Sequence, residues 1–148
     1  VCPPGLVQKY LNKISGPLLD RIDLHIEVTP VSFDELSDKR LTESSNSIRE
    51  RVSNARLKQQ DRFQGSPDIH ANAHMGKQEL NKHCHIEKEG RDMLKIAMDR
   101  LGLSARAYDR ILKVSRTIAD LDKSDNIKTQ HLAEAIQYRS LDRDGWLG

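Results

Sequence analysis

The chain has 148 residues, about the size of one domain. Its 24 Lys+Arg stand against 22 Asp+Glu, a net charge of +2, which excludes an overwhelmingly basic nucleic-acid arm but not a local basic face. Leu, Ile, Val and Phe make up about a quarter of the residues, above the level of disordered chains, and no apolar run is long enough to span a membrane as a helix.

Residues 6–13 read as a short helix, with Leu6, Tyr10 and Lys13 spaced by about one turn. Ser15 can cap and Pro17 suits a first helical turn, which predicts a second short helix over 17–21. From Ile22 to Val28 apolar and polar residues alternate strictly. That predicts a strand with Ile22, Leu24, Ile26 and Val28 on one face, ended by Thr29-Pro30. No second strand is read from the sequence, so this one wants a sheet that lies elsewhere. Residues 31–42 suggest a loop or short helix. From Glu43 to Phe63 the spacing of Ile48, Val52, Ala55 and Phe63 predicts a long helix with a narrow apolar stripe. Gly65-Ser66-Pro67 stops it.

A loop is expected over 66–75 and a short helix over 76–83. Glu87 to Leu101 carries Met93, Leu94, Ala97, Met98 and Leu101 on one helical face, and Gly102 follows as a stop. Ser104 caps the next helix, whose face is Tyr108, Ile111, Leu112, Ser115, Ile118 and Ala119. After a turn over 122–126, Thr129 is expected to cap a last helix with Leu132, Ala135 and Ile136 inward. The tail over 140–148 has no periodicity and is expected to fray. No apolar stretch follows a basic start, so no signal peptide is expected. The opening Val1-Cys2-Pro3-Pro4-Gly5, without Met, suggests a fragment of something longer.

No complete catalytic apparatus is legible. A phosphate-cradling loop needs Gly-x-x-x-x-Gly-Lys-Ser/Thr, but Gly76-Lys77 is followed by Gln78 and position 71 is Ala. There is no acidic pair after an apolar strand to hold Mg²⁺, and no Gly-x-Ser-x-Gly elbow. His83-Cys84-His85 and the pair His70/His74 carry good zinc-ligand types. However, neighbouring residues on a helix diverge and no second Cys lies at suitable spacing, so no metal is expected and Cys84 reads as a small buried residue. Cys2 and Cys84 make no disulfide framework, which points to a reducing compartment. Residues 39–62 hold seven Lys or Arg against three acids, a net of +4. Arg49, Arg51, Arg56, Lys58 and Arg62 could therefore contact phosphates of DNA, or simply form a solvated face. No aromatic residues interleave there to stack bases.

The run Ser15-Gly16-Pro17-Leu18-Leu19-Asp20-Arg21-Ile22-Asp23-Leu24-His25-Ile26-Glu27-Val28 delivers an Arg from a short helix just before a strand. It resembles the arginine-finger region of the magnesium-chelatase-like AAA+ ATPases. Glu43-Ser44-Ser45, Ile48-Arg49-Glu50-Arg51-Val52 and Ala55-Arg56 with Gln59 look like the helix that follows in that family. Leu103 to Val114 and Arg116-Thr117-Ile118-Ala119-Asp120-Leu121 look like its lid helix, and His131 to Arg139 like its closing helix. The resemblance is most specific to the competence-associated branch, the ComM/YifB type. It departs at the front, where the phosphate loop is missing.

The resemblance implies that Arg21 is an arginine finger reaching the γ-phosphate held by a neighbouring subunit, and that Arg106 is the sensor-2 arginine touching nucleotide in its own subunit. From the residues alone, Arg21 also reads as a surface Arg paired with Asp20 or Asp23, and Arg106 as a solvated Arg. Cysteines cluster upstream in this branch, and Cys2 would be the last of them. The fold class implied is mainly α: an AAA+ helical lid bundle plus an N-terminal segment of short helices and one strand cut from an α/β ATPase core. The implied divisions are a core remnant over 1–30, a linker and long basic helix over 31–75, the lid over 76–139 and a flexible tail over 140–148. The full-length protein would use ATP and Mg²⁺; the fragment would hold neither and would be inactive alone. Implied partners are other subunits of a homo-oligomeric ring, with a hexamer expected, the missing N-terminal ATPase core, and DNA; no membrane partner is expected. The implied setting is the bacterial cytoplasm. Two alternatives stay open: a free-standing helical adaptor for DNA or protein, and the chelatase subunit that assists porphyrin metallation.

Overall fold

Two serines start the two longest helices. In the computed structural model, which describes residues 5, 6, 9, 13, 15–19, 21–26, 28, 30, 31 and 43–139, α1 spans Gly16–Leu19 and α2 spans Ser45–Arg62. A 3₁₀ turn covers Asn72–His74. Then come α3 (Lys77–His83), α4 (Lys88–Leu101), α5 (Ala105–Leu121) and α6 (Thr129–Gln137). The Ser44 hydroxyl accepts from the Ser47 amide, and the Ser104 hydroxyl from the Ala107 amide, both at 3.2 Å. Each bond satisfies an amide that the first helical turn leaves unpaired. Gly102 ends α4 in the left-handed region at φ 60°, where a glycine costs least.

The last helix starts differently from the expectation. Its cap position is Lys128, not Thr129. The buried His131 ring reaches back, and its Nδ1 accepts from the Lys128 amide at 3.0 Å. That leaves Nε2 facing the Asp122 carboxylate at 3.1 Å.

The apolar faces of α4, α5 and α6 close on one core. Leu94, Ile111, Leu112, Ala119, Leu132 and Ala135 are buried there. Gly90 of α4 lies so close to α6 that a Cβ would stand 2.6 Å from the Leu132 Cδ1. The expected helical body began at residue 76, but Phe63 and Met75 extend the core upstream. The predicted stripe of α2 is only half realised: Ala55 and Phe63 are buried, while Ile48 and Val52 are 41% and 42% exposed.

The mainly helical fold class holds, but the predicted strand does not form among the described residues of 22–28. Its sidedness is reversed as well. Ile26 and Val28 are 69% and 88% exposed, while His25, on the opposite face of the alternation, is 5% exposed. The reason is a polar partner: the His25 amide donates to the Tyr138 carbonyl at 2.8 Å. Tyr138 is the C-terminal cap residue of α6, where carbonyls lack helical partners. Leu6 and Lys9 are helical, in keeping with the first predicted helix. Its other residues except Lys13, the loop over 32–42 and the tail over 140–148 lie outside the described residues. Among the described residues no helix is long and apolar enough to cross a membrane.

Candidate functional site

The candidate nucleotide arginines lie on adjoining segments. Arg21 follows α1 in a turn closed by its own amide donating to the Leu18 carbonyl at 3.0 Å, and the residue is exposed. Arg106 is the second residue of α5 and is exposed. There the helix dipole adds to its charge in favouring an anion. One turn further along α5, Arg110 pairs with the Asp23 carboxylate. Arg139, directly after the cap of α6, is buried and donates to the Ile22 carbonyl. The Asp23 carboxylate suggested as a surface partner of Arg21 thus faces α5 instead.

At the other end of α5 the arginines are enclosed. The Arg62 guanidinium grips both Asp120 oxygens, at 2.7 and 2.5 Å, and donates to the Asn72 Oδ1 at 2.8 Å. Asn72 donates to Asp120 at 2.8 Å and to Thr117 at 3.1 Å, while its amide donates to Gln59 at 2.9 Å. Arg116 meets Asp120 at 3.1 Å and donates to the carbonyls of Asp125 (2.8 Å) and Ser124 (2.7 Å). Burial pushes the Arg116 guanidinium down from its ordinary value, and Asp120 opposes that shift. This network joins α2, the 3₁₀ turn and α5. Sequence reasoning missed it. The available signal was Arg116 and Asp120 one turn apart, next to the inward Ser115 and Ala119.

The five cations proposed for DNA do not share one free face. Arg62 is enclosed as described. Lys58 bonds the Asp125 carboxylate at 3.1 Å and the Lys123 carbonyl at 3.2 Å. Arg51 forks onto both Glu43 oxygens at 2.6 and 3.1 Å, which holds the Glu43 carboxyl below its ordinary range, with help from Ser47. Arg49 and Arg56, two turns apart, are exposed.

The histidines and cysteine do not converge. Among the described residues no group of three His, Cys, Asp or Glu could hold a metal ion. Burial pushes the Cys84 thiol up to about 11, and its Sγ lies 3.8 Å from the Leu112 carbonyl. His83 packs edge-on against Phe63 at 5.6 Å, and burial pushes its pKa down. The His70 amide donates to the His74 Nδ1 at 3.4 Å. Cys2 lies outside the described residues.

Chemically, this arrangement offers permanently charged, forked donors to phosphate oxygens. Comparison with known proteins gives the family. The chain is 42% identical to the uncharacterized protein YifB of Escherichia coli over 144 residues, 96% of this chain and 27% of that protein. It is 42% identical to the competence protein ComM of Haemophilus influenzae over 143 residues, 95% of this chain and 27% of that one. An uncharacterized protein of Mycobacterium tuberculosis, Rv2897c, is 30% identical over 139 residues, with 94% and 27% covered. The chain thus spans about a quarter of the length of the curated relatives it matches. Residues 1–36 match the family described as magnesium chelatase, subunit ChlI. Residues 42–139 match its companion, and the chain belongs to that family: magnesium chelatase, subunit ChlI C-terminal.

Proposed function

We propose that this chain is the lid-bearing C-terminal part of an AAA+ ATPase of the ComM/YifB type. It supplies Arg21 to the γ-phosphate in a neighbouring subunit and Arg106 to nucleotide in its own. The single observation that carries this reading is the pair of family matches, with Arg21 inside the first and Arg106 inside the second. The exposure of both guanidiniums supports it. The 42% identity to a competence protein favours DNA handling in recombination or natural transformation over porphyrin metallation.

ATP and Mg²⁺ are the implied cofactors, and the residues present fit only the first in part. Exposed arginines suit phosphate oxygens, whereas among the described residues no carboxylate group gathers for a cation. ATP when bound supplies the phosphoryl group. Arg21 stabilises negative charge on the oxygens across a subunit boundary, which matters most in the transition state. Arg106 binds and orients from the first turn of α5. The phosphate loop and the Mg²⁺ ligands belong to the ATPase core of a ring, with a hexamer expected. The setting is the bacterial cytoplasm, and the isolated chain does not turn ATP over.

Mixed rings test the assignment. In the intact ATPase, Arg21→Ala leaves ATP binding nearly unchanged and lowers turnover by about 10³-fold. Turnover returns beside a neighbour that has Arg21 but carries a dead phosphate loop, because the site is completed in trans. Arg106→Ala weakens nucleotide binding and gains nothing from mixing. Wild-type turnover in Arg21→Ala would make Arg21 a plain surface residue.

A further inference from the structure

Arg21 is separated by a single bond of chain from a three-point clamp. The next residue, Ile22, offers its carbonyl to the Arg139 guanidinium. Asp23 is ion-paired with Arg110. The His25 amide donates to the Tyr138 carbonyl at 2.8 Å. Within four residues the segment is therefore tied to α5 and to the end of α6, two helices packed on each other through the common core. Arg139 is 1% exposed, so its guanidinium is held in place by the surrounding body rather than swinging in solvent. Arg110 stands one turn from Arg106 on the same helix face.

We infer that Arg110 and Arg139 are positioning residues for Arg21, coupling the segment that carries it to the helix that carries Arg106. This rests on the proposed roles of those two arginines. A tilt of α5 in response to nucleotide at Arg106 pulls on Asp23 through Arg110 and displaces Arg21, two residues away. The occupancy of one site then sets how well the neighbouring subunit's site is completed. The coupling is mechanical and short, and the ion pair of Asp23 and the hydrogen bonds at Ile22 and His25 can be tested one at a time.

The experiment uses the intact ATPase. Asp23 has a half-exposed side chain, so Asp23→Arg tests the clamp without opening the core. The expected result is a loss of about tenfold in kcat with KM for ATP within about twofold, as like charges now oppose across the contact. The swapped pair, Asp23→Arg with Arg110→Glu, recovers most of that loss, which a general loss of stability would not do. Amide exchange at His25 gives a readout independent of turnover: it quickens by about tenfold in Asp23→Arg and slows again in the swapped pair. Arg139→Gln quickens it too. Wild-type turnover in Asp23→Arg beside a crippled Arg21→Ala would overturn the clamp alone. Failure of the swapped pair to recover either readout would do the same. Wild-type turnover in Arg21→Ala would overturn the finger reading instead, whatever the exchange rates.

Discussion

The two ends of α5 use arginine in opposite ways. At the C-terminal end Arg116, with Arg62 from α2, closes around Asp120, a carboxylate with no solvent exposure. At the N-terminal end Arg106 stands in solvent, and Arg110 holds a partner, Asp23, that is itself half exposed. Burying a guanidinium is costly unless its donors find partners, and at the Asp120 end carbonyls of Ser124 and Asp125 supplement the one carboxylate, while the Arg116 Nε is left without a partner among the described residues. Such a group is fixed and cannot serve a ligand. An exposed one keeps its hydration and can exchange it for phosphate. Burial therefore separates the enclosed Arg62 and Arg116, which build the body, from Arg21 and Arg106, whose side chains face solvent.

The sharpest way to break this contrast is to remove the shared carboxylate. Asp120→Ala leaves two guanidiniums facing each other in the interior without a counter-charge. The expected loss is about 3–5 kcal/mol of folding stability, measured by urea denaturation. A loss under about 1 kcal/mol would mean that water already enters the network and that its arginines are not truly enclosed.

A second test uses the thiol in the same body. Burial pushes the Cys84 thiol up to about 11, from an ordinary value of 9.0. A raised pKa means that the folded state holds its proton longer than the unfolded chain. Stability from this group is therefore full below pH 9 and is lost as pH rises from 9 through 11. The size is about 2 kcal/mol at pH 11, and Cys84→Ala removes that pH dependence. A thiol reagent at pH 8 should react with Cys84 only as fast as the chain unfolds.

The sequence made the body legible and its charged seams illegible. In α4, α5 and α6 the apolar spacing, the Gly102 stop and the Ser104 cap all point the same way, and the structure follows them. Arg62 looked like its neighbours, because a basic residue on a basic helix carries no sign of a carboxylate 58 positions away in the chain. The cap of α6 lies one residue before the expected Thr129, where no hydroxyl reaches the first turn and the His131 ring instead accepts from the cap residue's own amide. In residues 22–28 the alternation forms no strand among the described residues. The helices here offer terminal carbonyls instead, and these draw the backbone of His25 rather than the apolar row. The proposed roles of Arg21 and Arg106 rest on resemblance, since exposed arginines carry no periodicity.

The smallest effect is expected in α2, which repeats the contrast along its own length. From Ala55 onward it is seated: Ala55 and Gln59 are buried and Arg62 enters the network. Before Ala55 every described residue of the helix is exposed, including the apolar Ile48 and Val52. Side chains that keep about two-fifths of their surface in water contribute little to folding, and their replacement changes mainly helix propensity. The double change Ile48→Gln/Val52→Gln should therefore shift the stability of this chain by no more than about 0.5 kcal/mol, read from thermal or urea denaturation. Ala55→Gln, a single change one turn further on, should cost about 1–3 kcal/mol, because the added atoms have no room against the body. A large loss from the first variant would show that Ile48 and Val52 are covered in solution, and the boundary at Ala55 would then have to move toward Ser45.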